Sequence, residues 1–144
     1  MGFKGEYSHS IDDKGRLIMP AKFREQIGER FVVTKGLDSC LYAYSESEWA
    51  LIEEKFREIP LTTEKARKFT RFFFSSAEDM SMDKQGRYLI PQNMRDFAGI
   101  TGEVVTAGAL TRLEIWDKDK WQNANSYDDV SEIAEYMAEL GLRI

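Results

Sequence analysis

Residues 11–20 read "IDDKGRLIMP" and residues 82–91 read "MDKQGRYLIP". Each phrase runs from an acid through a glycine–arginine turn and an apolar run to a proline. Aligned at an offset of 71 residues, the stretches 11–28 and 82–99 match Asp12 with Asp83, Gly15 with Gly86, Arg16 with Arg87, Pro20 with Pro91, Arg24 with Arg95 and Gly28 with Gly99. Ordinary amino-acid usage would supply about one such match, against six in these 18 positions. The likeness resumes at an offset of 72, where "VVTKG" meets "VVTAG", Leu41 meets Leu113, Tyr44 meets Trp116 and Trp49 meets Trp121. A self-similarity of this length is a tandem duplication.

Both copies share one grammar. The stretch before the motif, "FKGEYSHSI", alternates as a strand does, and "DDKG" is a polar turn in which Gly15 is free to take positive φ. "RLIMP" and "RYLIP" are short β-prone runs, each closed by a proline suited to the first turn of a helix. "AKFREQIG" and "QNMRDFAG" read as two-turn helices stopped by glycine. "RFVVTKG" with "CLYAY", and "GEVVTAG" with "RLEIW", are strand pairs around glycine-containing turns.

Helices decorate these β units. "SESEWALIEEKFREI" has an N-cap serine and places Trp49, Ile52, Phe56 and Ile59 on one face, with Pro60 closing it. "TTEKARKFTRFFFSS" places Ala66, Phe69, Thr70 and Phe73 on one side, and "DDVSEIAEYMAELG" is an acidic amphipathic helix. A strand-rich half of this size cannot bury much core alone. Two halves related by an approximate two-fold can share one by exchanging hairpins. The expected fold is therefore α+β, mainly β: a duplicated swapped-hairpin β-barrel pseudo-dimer with peripheral helices. Its parts are a first repeat with trailing helix (1–58), a connecting helix (59–76) and a second repeat with C-terminal helix (77–144), fused in one core.

Composition narrows the function. Of the 144 residues, 42% are hydrophobic and 31% charged, as in a soluble globular protein. No apolar run approaches the roughly 18 residues of a membrane helix, so no membrane partner is expected. The start "MGFKGEYSHS" lacks the basic-then-apolar pattern of a signal peptide, which points to the cytoplasm. Glu6 stands where a myristoylation signal needs Ser or Thr. Cys40 is the single cysteine and His9 the single histidine, too few for a cysteine- or histidine-based metal site. Cys40 reads as a small buried apolar residue, and no residue cluster indicates a cofactor. The net charge is −5, but seven acids and three bases lie from Asp117 onward, leaving 18 acids and 17 bases in residues 1–116. A neutral body can carry a basic face, and the field there governs nucleic-acid binding more than the sum does.

Arg16 and Arg87 are the candidates for that face. A guanidinium on a glycine turn stands clear of the core and can fork onto phosphate or guanine. The acid four residues earlier, Asp12 or Asp83, can hold it ready. An aspartic-protease dyad is the rival use of two aspartates from duplicated lobes. Such sites need a small hydroxyl residue and glycine directly after the acid, whereas Asp12 precedes Asp13-Lys14-Gly15 and Asp83 precedes Lys84-Gln85-Gly86. No enzyme is expected. Lys65, Arg67, Lys68 and Arg71 form either a solvated face or a seat for an acidic neighbour such as the 128–139 helix of another protomer. "RFFF" reads as core or inter-protomer packing rather than a base-stacking platform. Trp49 and Trp121 are expected to close the core of each half.

"IDDKGRLIMPAKFRE" and "MDKQGRYLIPQNMRD" both resemble the AbrB-type swapped-hairpin motif of bacterial transition-state regulators. Two copies in one chain, with "FTRFFFSSA" before the second, resemble the MraZ family, found beside bacterial cell-division and cell-wall genes. The resemblance implies a DNA-binding transcriptional regulator of its own operon, cytoplasmic and nucleoid-associated. It also implies a homo-oligomeric ring meeting repeated short boxes of double-stranded DNA near its promoter. The D-x-x-x-R signature falls on Asp12 with Arg16 and on Asp83 with Arg87, and single-copy relatives add the helix arginines Arg24 and Arg95. The copies diverge where Lys14 becomes Gln85, Lys22 becomes Asn93 and His9 becomes Met80, so the first copy, with Lys14, is expected to grip DNA more firmly. The alternative is a protein-interaction scaffold whose turn arginines bind acidic partners.

Overall fold

The computed structural model describes residues 2–144. The first repeat contains β1 (Glu6–Ser10), β2 (Arg16–Ile18), α1 (Ala21–Ile27), β3 (Arg30–Lys35), β4 (Leu41–Ser45) and α2 (Glu46–Arg57), followed by α3 (Glu64–Ser75). The second repeats that order in β5 (Glu78–Ser81), β6 (Arg87–Leu89), α4 (Gln92–Ala98), β7 (Glu103–Gly108), β8 (Leu113–Asp117), α5 (Lys118–Ala124) and α6 (Val130–Glu139). Among the described residues strands outnumber helices, eight to six, and every strand pairing is antiparallel. The class is α+β, as expected.

Strand exchange joins the halves. The main sheet runs β1-β7-β8-β4-β3-β5, and β2 pairs with β6 in a separate ribbon. Exchanging each strand for its copy reverses that order onto itself, which is the signature of an internal two-fold. The first strand of each repeat thus lies on the third strand of the other, β1 on β7 and β5 on β3. The sheet is not closed into a barrel: β1 and β5 are its free edges.

One side-chain layer fills the space between sheet and ribbon. Leu17, Met19, Phe23, Ile27, Phe31 and Val33 from the first repeat meet Tyr88, Ile90, Met94, Ala98, Val104 and Ile115 from the second, all buried. Leu17 faces Tyr88 across the ribbon, and the Tyr88 ring meets Phe31 edge-on at 5.1 Å. Pro20 and Pro91 are the N-caps of α1 and α4, one position ahead of the first turn, while Gly28 and Gly99 end those helices at positive φ. On the other face of the sheet, α2 and α3 clamp Tyr42 and Tyr44. Phe73 stacks between Trp49 at 5.5 Å and Phe56 at 5.6 Å, and its carbonyl accepts the Thr34 hydroxyl. Truncating such a ring to alanine typically costs about 3–5 kcal/mol. Trp49 and Trp121 pack as expected, Trp121 edge-on to Trp116 at 5.6 Å. Ile59 lies beyond the end of α2 and is exposed, so it is not part of the packed face. Cys40 is fully buried, its thiol donating to the Leu37 carbonyl at 3.1 Å.

The structure corrects one alignment. Val32 pairs with Tyr44, whereas Val105 pairs with Trp116, the residue matching Tyr44. β3 therefore corresponds to β7 at an offset of 73, not 72, and the identical "VVT" strings are out of phase by one residue. Such a slip turns each side chain to the opposite face. Thr34 consequently meets α3, while Thr106 faces the ribbon side and is bonded to His9 Nε2 at 2.9 Å.

Candidate nucleic-acid interface

Each D-x-x-G-R turn is built around its aspartate. The Asp12 main chain is tied at both ends, its N–H donating to the Arg16 carbonyl at 3.0 Å and its carbonyl accepting from Gly15 N–H at 3.1 Å. Its side-chain Oδ1 accepts from the N–H groups of Lys14 (2.9 Å) and Arg16 (2.8 Å), and Oδ2 accepts from Arg16 Nε at 2.8 Å. The second turn reproduces this set: Asp83 Oδ1 accepts from Gln85 and Arg87 N–H, both at 2.9 Å, and Oδ2 from Arg87 Nε at 2.8 Å. Gly15 and Gly86 close the turns at φ +80° and +82°, which a side chain would make costly. The backbone N–H of the arginine, then its guanidinium, holds each carboxyl below the usual carboxylate range despite an opposing desolvation effect. The lowered carboxyls favour the ionised form, and their arginines donate through Nε, with no hydrogen bond from either terminal amino group among the described residues.

The ribbon sets the two arginines on one face. Arg16 pairs with Leu89 and Arg87 with Ile18, while Leu17 and Tyr88 between them point into the core. Arg16 and Arg87 are therefore diagonal neighbours, a relation that spans about 7–8 Å at the backbone. Ile18 (46% exposed) and Leu89 (54%) complete the outer face. Sequence reasoning missed these two, although the alternation of side chains along a strand places them beside the arginines.

The helix arginines cross over. Arg24 Nε donates to the Met19 carbonyl and Arg95 Nε to the Ile90 carbonyl, each at 2.9 Å. These carbonyls precede the helices that carry the arginines. A Cβ placed on Gly86 would lie 2.4 Å from Arg24 Nε, and one on Gly15 would lie 2.9 Å from Arg95 Cζ. Each turn therefore groups its own arginine with the helix arginine of the other repeat: Asp12, Arg16 and Arg95 at one end of the ribbon, Asp83, Arg87 and Arg24 at the other. Lys14 extends the first group, where Gln85 stands in the second. Among the described residues, no cluster of His, Cys, Asp and Glu could hold a metal ion, and no helix is long and apolar enough to cross a membrane.

A fold in which the first strand of each repeat pairs with the third strand of the other defines a duplicated swapped-hairpin protein. The family model described as "MraZ protein" matches residues 2–72 and again 73–141. Relatives named "Transcriptional regulator MraZ" include that of Clostridium tetani, 52% identical over 141 residues, covering 97% of this chain and 99% of the relative. The protein of that name from Caldicellulosiruptor bescii is 53% identical over 140 residues, with 96% and 98% covered. That from Acetivibrio thermocellus is 52% identical over 142 residues, with 97% and 99% covered. The chain belongs to the MraZ family.

Proposed function

We propose that the protein is a DNA-binding transcriptional regulator that contacts its operator through the outer face of the β2/β6 ribbon. The observation that carries this reading is the placement of Arg16 and Arg87, each oriented by its own aspartate, on a single two-stranded surface. A two-stranded ribbon fits the major groove, where an arginine fork matches guanine O6 and N7 and an apolar side chain meets the thymine methyl. Arg16 and Arg87 supply the forks, and Ile18 and Leu89 the apolar contacts. Arg24, Arg95 and Lys14 flank them as phosphate ligands, and phosphate contacts fix register without reading sequence. Asp12 and Asp83 act through the arginines. The names of the relatives, transcriptional regulators, agree with this use.

The finer reading is a regulator of its own operon, associated with the nucleoid, whose subunits form a ring over repeated short boxes. Several weak grips then add through effective concentration, so a chain of net charge −5 needs few arginines per copy. A gel shift with the DNA upstream of its own gene tests this. Retarded wild-type protein and unretarded Arg16→Ala protein are expected. Binding of that variant at wild-type affinity would leave the arginine without its role, and wild-type binding only to acidic proteins would favour a scaffold.

A further inference from the structure

The free edge of β5 has main-chain groups to offer. Met82 N–H donates to the Glu29 carbonyl, and Met80 and Glu78 stand opposite Phe31 and Val33 on β3. Successive residues of a strand turn their N–H and C=O groups to alternate sides, so Asp79 and Ser81 turn theirs away from β3. Among the described residues no strand pairs with that side. A groove lies on either face of it. One, of about 620 Å³, runs from β5 to Leu89 and Pro91 on the ribbon side. The other, of about 340 Å³, runs from β5 past Arg30 to Glu46 at the start of α2.

The two grooves differ in chemistry. Leu89 and Pro91 give the first an apolar far wall, with Leu89 exposed. Glu46, Glu78 and Asp79 are exposed and form no ion pair among the described residues. Arg30 is the one base lining either groove. A strand added here would alternate its side chains between the grooves, apolar ones toward Leu89 and Pro91, basic ones toward Glu46 and Asp79. A second copy of β5 is a poor occupant, because antiparallel pairing would set Glu78 and Asp79 against acids of their own kind. The other free edge, β1, carries Lys4 beside Glu6, and Glu6 accepts from Trp121 Nε1, so no such excess of charge exists there.

We infer that the β5 edge docks an extended segment of another protein, one that alternates basic and apolar residues and adds a strand to the sheet. The main-chain groups of Asp79 and Ser81 supply the grip, and the two grooves select the side chains. This site uses neither arginine turn and requires neither DNA nor a ring.

The test uses the full-length protein without DNA and a labelled short peptide of alternating lysine and valine. Fluorescence anisotropy reads binding, and amide hydrogen exchange by NMR reads where the peptide lies. Binding is expected, with exchange at the Asp79 and Ser81 amides slowed about tenfold or more at saturation. A peptide of alternating glutamate and valine should not bind. S81P removes an outward N–H and leaves the ladder to β3 intact, and E46K/D79K reverses the charge. Each should weaken binding about tenfold or more, with circular dichroism confirming the fold. A lysine–valine peptide with its backbone N-methylated at alternate residues should fail on the wild type. No binding of the basic peptide, equal binding of the acidic one, or binding that leaves both amides exchanging as in the free protein would each overturn the inference. So would slow exchange at both amides before peptide is added, since a second copy would then already cover the edge.

Discussion

The guanidinium of Arg24 lies against Gly86, a residue of the other repeat, so close that a Cβ there would stand 2.4 Å from Arg24 Nε. Arg95 has the same relation to Gly15. Each arginine-bearing turn is thus packed by a helix arginine from the opposite copy, a contact made across the β2/β6 ribbon.

That packing makes the turn glycines sensitive in two ways. Gly86→Ala would force an L side chain to hold φ +82° and displace Arg24. The left-handed conformation costs about 1–2 kcal/mol, readable in denaturant unfolding, and DNA affinity should fall beyond what lost folding explains. A variant as stable and as tight as wild type would contradict the crosswise packing.

Acid should weaken the turns. The carboxyls of Asp12 and Asp83 are held low, first by the arginine backbone N–H and then by the guanidinium. A folded value depressed below the unfolded one contributes stability above the ordinary carboxylate range, lost as pH falls through the folded value. D12N/D83N should therefore show a shallower loss of stability on acidification than wild type. Chemical denaturation at a series of pH values measures this, and parallel curves would refute it.

Tyr88 is buried beneath the ribbon, and its hydroxyl has no hydrogen-bond partner among the described residues. Burial pushes its pKa well up. An unsatisfied buried hydroxyl costs about 1–3 kcal/mol, so Tyr88→Phe should raise stability by roughly 1 kcal/mol. A fall of that size in the urea midpoint would show that the hydroxyl has a bonded role.

The Cys40 thiol is buried and its pKa is pushed up to about 12, chiefly by desolvation. A thiol so placed gives little thiolate. A disulfide exchange reagent at pH 8 should leave the native protein untouched and titrate one thiol after denaturation. Rapid native reaction would mean that the α2–α3 side opens readily.

The repeat made the pseudo-two-fold and the paired turns legible, because Asp12, Gly15, Arg16 and Pro20 are fixed by local turn and helix chemistry. What depended on partners distant in sequence was less so. Identical "VVT" strings suggested equivalent positions, yet the strand pairing aligns Val33 rather than Thr34 with Thr106. Two residues are added before β7 and one is removed before β8, a change that only the cross-strand register reveals. The short α5 escaped notice because its first turn, "KDK", carries no apolar period. The resemblance to single-copy relatives puts Arg24 and Arg95 with the turns, but their exchange between turns follows from the pairing of the two repeats, not from spacing within either copy. The free edges of β1 and β5 likewise emerge only from the assembled sheet.

The most direct test of one DNA-facing surface assembled from two repeats is footprinting on the upstream DNA with wild-type protein, each single variant Arg16→Ala and Arg87→Ala, and the pair. Exposed pairs of this kind contribute only about 0–1 kcal/mol to folding, so all four proteins should melt alike. Protection should weaken in both single variants and vanish in the pair. An undiminished footprint from the pair, with its fold intact, would contradict the account.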